Sequence, residues 1–97
     1  MRIFGKDKEQ IIVQLFRRGD ASAMDVLYAE YANYLTAICA RYIADDDDVR
    51  DVLQEAFIKI FTTIDSFDYR GAGSLKAWVS RIVINECLQW LRQQRRS

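Results

Sequence analysis

Proline and histidine are both absent from this sequence of 97 residues, which contains only four glycines and two cysteines. Because proline and glycine interrupt helices, their scarcity favours a helical protein. The absence of histidine removes the commonest general base and the usual partner of a serine or cysteine nucleophile. With only two cysteines, a structural zinc site is also disfavoured. We therefore expect a protein that is not an enzyme and needs no cofactor or metal.

Long apolar runs are missing as well. No stretch approaches the ~20 apolar residues that a membrane span requires, and the start MRIFGKDKEQ carries too much charge for the core of a signal peptide. A hydrophobic content of 51% is enough for a single modest core. We expect one domain over residues 1–97, located in the cytoplasm and not inserted in a membrane. Cys39 and Cys87 fall within helical patterns and are predicted to be buried free thiols.

The formal net charge of zero conceals an uneven distribution of charge. From Asp20 to Glu55 there are nine acidic residues and two arginines, whereas from Arg70 to Ser97 there are six basic residues and Glu86 alone. A basic segment suits a polyanionic partner. The split predicts two surfaces for two partners, although charge alone is equally consistent with two ordinary solvated faces.

Apolar residues recur at helical spacing in four segments of the chain. The segments span residues 11–16, 24–42, 49–64 and 75–91. Gly19 ends the first segment, and Asp20 or Ser22 can cap the second. The aspartates of ADDDD can cap the third helix and Ser74 the fourth. The pattern predicts an all-α fold, a compact bundle of three long helices with a short N-terminal helix.

Two stretches carry a family likeness. DDVRDVLQEAFIKIFTTIDSF resembles the helix with which bacterial sigma factors grip core RNA polymerase, and SLKAWVSRIVINECLQWLRQQRR resembles the promoter-reading helix that follows it. Together with FRRGDASAMDVLYAEYANYLTAICARYI, the likeness covers residues 10–96 and is closest to the second conserved region of the extracytoplasmic-function type. The loop FDYRGAG is a little longer than the usual loop of small sigma factors, and its FDYR looks more like the loop of housekeeping sigma factors. The pair of tryptophans that housekeeping factors carry in the following helix is absent, since Arg81 and Ile82 stand near that place. The resemblance implies a second helical domain beyond a linker, so we expect this chain to be an excised domain.

An acidic face lies opposite the apolar stripe of the third helix. Asp48, Asp51 and Glu55 are three and four residues apart, Gln54 lies beside them, and Ile58 extends the face by one turn. An exposed apolar residue within a charged rim is typical of a docking surface. The resemblance implies that the partner is core RNA polymerase, through the basic clamp helices of its largest subunit. On the residues alone, a solvated helix face is the alternative.

The stretch DSFDYRGAGSLKAW interrupts the helical pattern with glycines, aromatics and an arginine. The resemblance implies promoter opening here, and an unstacked base is held by aromatic faces and edge hydrogen bonds. Phe67 and Tyr69 are predicted to stack on bases and Arg70 to neutralise a phosphate, while Gly71 and Gly73 allow a tight turn. The alternative for Phe67 is a plug at the end of the bundle.

The last predicted helix presents one polar face at steps of three and four residues. This face is formed by Arg81, Asn85, Gln89 and Arg92. In the family, the asparagine that matches Asn85 lies at the surface for single-stranded promoter DNA, the non-template strand of the minus-ten element. Lys76 and Arg95 are predicted to contact phosphates, which position the protein without specifying sequence. Trp78 shares the apolar stripe and is predicted to belong to the core rather than to wedge between bases.

The predicted function is promoter recognition and strand opening by a dissociable sigma subunit of RNA polymerase, with no catalysis of its own. The alternative is a helical protein-interaction module that an inhibitor sequesters without direct DNA binding. The resemblance implies an inhibitor of this kind, an anti-sigma factor, as a further partner.

Overall fold

The computed structural model describes residues 5–96, with side chains from residue 8 onwards, so the first residues of the charged start and residue 97 lie outside it. The described chain forms α1 (Gly5–Arg17), α2 (Ala23–Tyr42), α3 (Asp46–Thr63), a 3₁₀ turn (Ile64–Ser66) and α4 (Ser74–Arg96). Over these residues the prediction of an all-α bundle with three long helices and a shorter first one is confirmed.

The first helix is longer than the sequence pattern predicted, with 13 residues. Ile12 and Val13 face the core, whereas Ile11 is 43% exposed. Ile11, the first apolar residue of the predicted segment, therefore lies outside the core, because the helical phase turns it away from Ile12 and Val13. α1 packs against α2 and against the 3₁₀ turn.

Capping follows the sequence at α3 but not at α2. The side chain of Asp45 accepts hydrogen bonds from the backbone amides of Asp47 and Asp48 at 2.9 and 3.2 Å, so the predicted aspartate cap of α3 is confirmed. Ser22 makes no capping bond with its side chain. Asp20 instead accepts the amide and the hydroxyl of Ser22 at 2.9 and 2.7 Å, which stabilises the turn before α2 rather than its first amides.

The core lies between α2, α3 and α4, each of which contacts the other two. Leu27 and Leu35 of α2, Ile60 of α3, and Val79 of α4 are all completely buried. Met24 and Tyr28 belong to the apolar spacing of the second predicted segment, but at the start of α2 they are 50% and 55% exposed. Tyr28 places its ring 4.9 Å from that of Phe57 and so covers the core edge from outside.

The two cysteines meet inside the core, although they are 48 residues apart in sequence. Cys39 and Cys87 are free and fully buried, with their sulfur atoms 3.4 Å apart, so the prediction of buried free thiols is confirmed. Burial raises the pKa of Cys87 to about 12 and also raises the pKa of Cys39. Both thiols are consequently neutral and unreactive at physiological pH.

The described part of the chain contains neither a membrane-spanning helix nor a cluster of metal ligands. None of its helices combines the length and the apolar character needed to cross a membrane. Residues 8–96 also contain no group of three or more histidine, cysteine, aspartate or glutamate residues that could hold a metal ion.

Candidate functional site

The loop between the 3₁₀ turn and α4 adopts a backbone that requires glycine. Gly71 and Gly73 have φ angles of 110° and 88°, a backbone conformation that residues with a Cβ rarely adopt. A Cβ at either position would meet no atom within 4 Å, so the requirement comes from the backbone angles and not from crowding. The predicted tight turn is confirmed.

Ser74 stabilises this loop in a different way from the predicted one. Its hydroxyl accepts the amide of Arg70 at 3.1 Å and donates to the carbonyl oxygen of Gly71 at 2.7 Å. These bonds tie the loop to itself and leave the first amides of α4 without a partner from Ser74. The prediction that Ser74 caps α4 was therefore wrong, because its hydroxyl bonds to the loop and not to the first amides of the helix.

The first amides of α4 are instead bound by Glu9 of α1. The carboxylate accepts the amides of Gly73 at 3.1 Å and Leu75 at 3.2 Å through Oε1, and the amide of Lys76 at 3.2 Å through Oε2. Glu9 is only 6% exposed. Its sequence signal is its helical phase, because it lies three residues before the buried Ile12. That phase predicts burial but cannot name a partner more than 60 residues away.

A cavity of about 430 Å³ opens beside the loop, between the end of the 3₁₀ turn and the first turns of α4. Phe67 and Trp78 form its aromatic wall, with ring centroids 5.2 Å apart and planes inclined by 48°. Both rings are half-buried and pack against the core. Phe67 and Trp78, the latter predicted for the core, therefore each pack against the core and line the cavity.

Charged side chains surround the aromatic wall of this cavity. Arg70, Arg81 and Asp68 line it. The Nε atom of Arg70 lies 3.5 Å from a carboxylate oxygen of Asp68, and both side chains are largely exposed, so the pair is weak and leaves Arg70 available to another anion. A ring surface with cationic edges can hold a flat heterocycle and the phosphate attached to it. Asp68 was not among the predicted site residues.

Tyr69 lies apart from this cavity. It is half-buried, packs against the core and is absent from the residues that line the cavity. The structure therefore separates it from Phe67, although the two are only two positions apart, because alternate residues of an extended segment face opposite sides.

Lys76 and the polar face of α4 are exposed, as a binding surface requires. The Nζ atom of Lys76 lies 4.3 Å from the ring centroid of Tyr34, a cation–π contact that holds the ammonium group at the surface. The predicted polar face, Arg81, Asn85, Gln89 and Arg92, is exposed along its whole length. Glu86, the one acid of the basic segment, is paired with Lys59 of α3. Its charge is therefore balanced by Lys59 and not by the arginines of α4.

The predicted polymerase surface divides between two depressions on either side of α3. Asp51 and Glu55 line a cavity of about 380 Å³ between α3 and α4, together with Gln89. Gln54 and Ile58 line a larger groove of about 740 Å³ between α2 and α3. Gln89, which was predicted to contact DNA, thus lies beside two residues that were predicted to contact polymerase.

The groove between α2 and α3, which we call the α2/α3 groove, is mainly apolar. Its walls include Tyr28, Leu53, Phe57, Ile58 and Phe61. Ile58 is 49% exposed, so the predicted apolar anchor is accessible. The exposed Tyr28 on the facing helix extends this apolar surface.

Asp48 lies in the most acidic part of the surface. It is partly buried, and this burial, together with the neighbouring carboxylates of Asp45, Asp51 and Asp47, raises its pKa. Like charges held together disfavour ionisation, so a cationic partner would relieve the repulsion among them.

Comparisons with known proteins agree with one another. The family model for Sigma-70 region 2 matches residues 27–97. The ECF RNA polymerase sigma-E factor of Escherichia coli strain K12 is 35% identical over 88 residues, and that of Haemophilus influenzae is 34% identical over 88 residues. These alignments cover 91% of this chain but 44% and 45% of the relatives, so the chain spans less than half of their length.

A solved structure shows the same architecture. The NMR structure of an engineered region 2 of sigmaE in complex with GTAAAA matches this chain with a TM-score of 0.78 at 33% sequence identity. The match covers 91% of this chain and 90% of that one.

Proposed function

This chain belongs to the Sigma-70 region 2 family, and on that premise we propose that it recognises and opens promoter DNA as part of a dissociable sigma subunit of RNA polymerase. On this proposal it performs no chemistry of its own and acts in the cytoplasm with the polymerase. Its DNA ligand is the non-template single strand of the minus-ten element.

The cavity beside the loop is the observation that carries the proposal. Phe67 and Trp78 provide aromatic surface, and Arg70 and Arg81 provide positive charge at its rim. Bases that leave a duplex are stabilised by stacking, at about 1–3 kcal/mol per base, which offsets the few kcal/mol that unstacking requires. The solved relative that contains GTAAAA supports the same class of ligand.

The remaining predicted DNA residues extend this site along α4. Asn85 and Arg92 are exposed and continue from Arg81 along one face of the helix, so a strand that enters the cavity can continue over them. Lys76 is exposed at the start of α4, on the side that faces Tyr34 of α2. We assign phosphate contacts to Lys76 and Arg92 and a base-edge contact to Asn85. Gln89 is assigned to the far end of this path, and Tyr69 remains a predicted contact only on the opposite side of the loop.

We further propose that the acidic surface of α3 binds the clamp helices of the largest polymerase subunit. Asp51 and Glu55 present charge to a basic partner, and Ile58 presents an apolar anchor at the edge of the α2/α3 groove. Asp48 and Gln54 complete this surface.

Binding to single-stranded hexanucleotides tests the DNA proposal. GTAAAA is compared with a scrambled hexamer of the same composition, using the wild type and the variant Phe67→Leu. Leucine retains an apolar side chain against the core but removes the stacking face. We expect the wild type to prefer GTAAAA, and the variant to lose ~1–3 kcal/mol on GTAAAA and much less on the scrambled hexamer. A wild type that binds both hexamers equally would contradict the proposal.

A protein-interaction module held by an inhibitor is the second candidate, and the α2/α3 groove favours it. An apolar groove between two helices can accept an amphipathic helix of a partner. On this alternative an anti-sigma factor occupies the groove, and the chain on its own shows no sequence preference among hexanucleotides. The hexanucleotide measurement therefore separates the two candidates.

A further inference from the structure

Glu9 is the one charged residue that is buried among those whose side chains the structure describes. It comes from α1, yet three of its hydrogen bonds reach the amides of Gly73, Leu75 and Lys76. An ionised carboxylate is stable in such surroundings only when its oxygens are well hydrogen-bonded. The amides at a helix N-terminus meet this need and add the favourable end of the helix dipole.

Tyr31 of α2 supplies a fourth contact. Burial and the nearby carboxylates of Glu9 and Glu30 raise the pKa of the Tyr31 hydroxyl, which places this hydroxyl close to the carboxylate of Glu9. Glu9 therefore joins three parts of the fold, namely α1, α2 and the start of α4.

Along the chain, the amides that Glu9 binds lie between the loop residues and Trp78, and both of these line the cavity. Gly73 ends the loop, whose earlier part is tied to the hydroxyl of Ser74. Trp78 follows about one turn after the bound amides and forms the aromatic wall of the cavity. The position of this wall relative to the loop consequently depends on where the first turn of α4 is fixed.

We infer that Glu9 is a positioning residue for DNA recognition, which fixes the start of α4 so that the loop and the cavity present one preorganised surface to a single strand. This inference rests on the proposed DNA-binding function. A capping side chain at position 73 would act only locally, and the φ angle of 88° at Gly73 disfavours any such side chain. A cap from α1 does more, because it fixes the helix start to the rest of the bundle.

The test uses the full 97-residue chain with Glu9→Gln, which keeps the shape and removes the charge. Its side-chain amide offers one acceptor oxygen and places a donor group near a backbone donor. The matched control is Glu30→Gln, the same substitution at an exposed glutamate of α2 whose ion pair with Lys8 is at 3.9 Å. Three quantities are compared: the amide chemical shifts of Gly73, Leu75 and Lys76 in ¹⁵N-labelled protein, the affinity for GTAAAA, and the affinity for its scrambled hexamer.

We expect Glu9→Gln to move these three amide resonances and to weaken GTAAAA binding by roughly tenfold, since a smaller fraction of molecules then holds the loop in the binding geometry. The ratio of the two affinities should fall, and the control should leave the amide resonances and both affinities unchanged. If the variant does not fold, Glu9→Asp replaces it, which retains the charge but is too short to reach all three amides.

A folded variant with displaced amides and an unchanged affinity ratio would overturn the inference while the proposed function stands. A wild type without preference for GTAAAA would overturn both, and that result is visible before any variant is measured. A changed ratio in the control variant would also overturn the inference, since loss of any glutamate charge would then suffice.

Discussion

Reversing the charge of the acidic surface of α3 should abolish polymerase binding without unfolding the protein. Asp51→Lys combined with Glu55→Lys changes two exposed residues that line the cavity between α3 and α4. Facing a basic partner, each substitution replaces attraction with repulsion, and unfavourable pairs of this kind cost several kcal/mol. Because 1.4 kcal/mol corresponds to a factor of ten, we expect a loss of affinity of at least ~100-fold.

The effect on folding should be much smaller. Glu55 and Lys59 are four residues apart on α3, so the substitution converts one favourable helix pair into an unfavourable one. Asp51 and Glu55 already carry like charges, and this relationship is unchanged when both become cations. At ~0.2–0.5 kcal/mol for each pair gained or lost, the change at Glu55 costs about 0.4–1 kcal/mol, a small part of the ~5–15 kcal/mol typical of a domain. The change at Asp51 offsets part of this cost, because it removes the repulsion between Asp51 and Asp48. The ion pair between Lys59 and Glu86 is retained.

The measurement is a direct titration of a clamp-helix fragment of the polymerase, accompanied by thermal unfolding. The control is Glu30→Lys with Asp65→Lys, which makes the same change in net charge at two exposed acids outside the proposed surface. The difference between the two variants should shrink as salt is added, because exposed charges are screened. Equal affinities for the wild type and the α3 variant, or an equal loss in the control, would refute the assignment.

Three further predictions concern DNA binding and the buried thiols. Lys76→Ala and Arg92→Ala should weaken binding of GTAAAA and its scrambled hexamer equally, and should each reduce the slope of log affinity against log salt by ~0.7, as titrations at several salt concentrations will reveal. Asn85→Ala should weaken GTAAAA by ~1–3 kcal/mol and barely affect the scrambled hexamer, whereas an equal loss on both would exclude base contact. Because burial raises the pKa of Cys39 and Cys87, unfolding should become easier as the pH rises above ~8.5, by up to ~1.4 kcal/mol per pH unit for each thiol, until the folded-state pKa is reached. The measurement is the free energy of unfolding, from denaturant titrations at several pH values, for the wild type and for the variant with Cys39→Ala and Cys87→Ala. The free energy should fall more steeply with pH in the wild type, and equal slopes against pH would show that the thiols are not responsible.

Helices and most of the core were predictable because their information is local. Apolar residues that recur every three or four positions show which face of a helix is buried. In α3 this face includes Val52, Ala56 and Ile60, and all three are buried. The cap at Asp45 is likewise encoded within three residues of the helix it serves. Tyr28 is an exception. It has the spacing of a core residue, but its side chain lines the α2/α3 groove and is exposed.

The loop is only partly predictable, for a physical reason. Two glycines and an arginine in a short polar stretch indicate a turn with room for a ligand, and the positive φ angles of Gly71 and Gly73 agree with that. Which aromatic side chain faces the ligand depends on the direction of each residue along an extended segment. Phe67 and Tyr69 are equivalent in the sequence, yet only Phe67 lines the cavity.

Contacts between distant parts of the chain decide how the two predicted surfaces are related. The sequence separates an acidic segment from a basic one, and charge alone predicts two independent faces. In the structure, α3 and α4 pack side by side, so Asp51 and Glu55 share a cavity with Gln89. An acidic surface beside a DNA path repels phosphates over distances of about 10 Å at ordinary salt. A basic partner bound to α3 would remove that repulsion, so polymerase affinity and DNA affinity are expected to reinforce each other through charge alone, to an extent that falls as salt is raised.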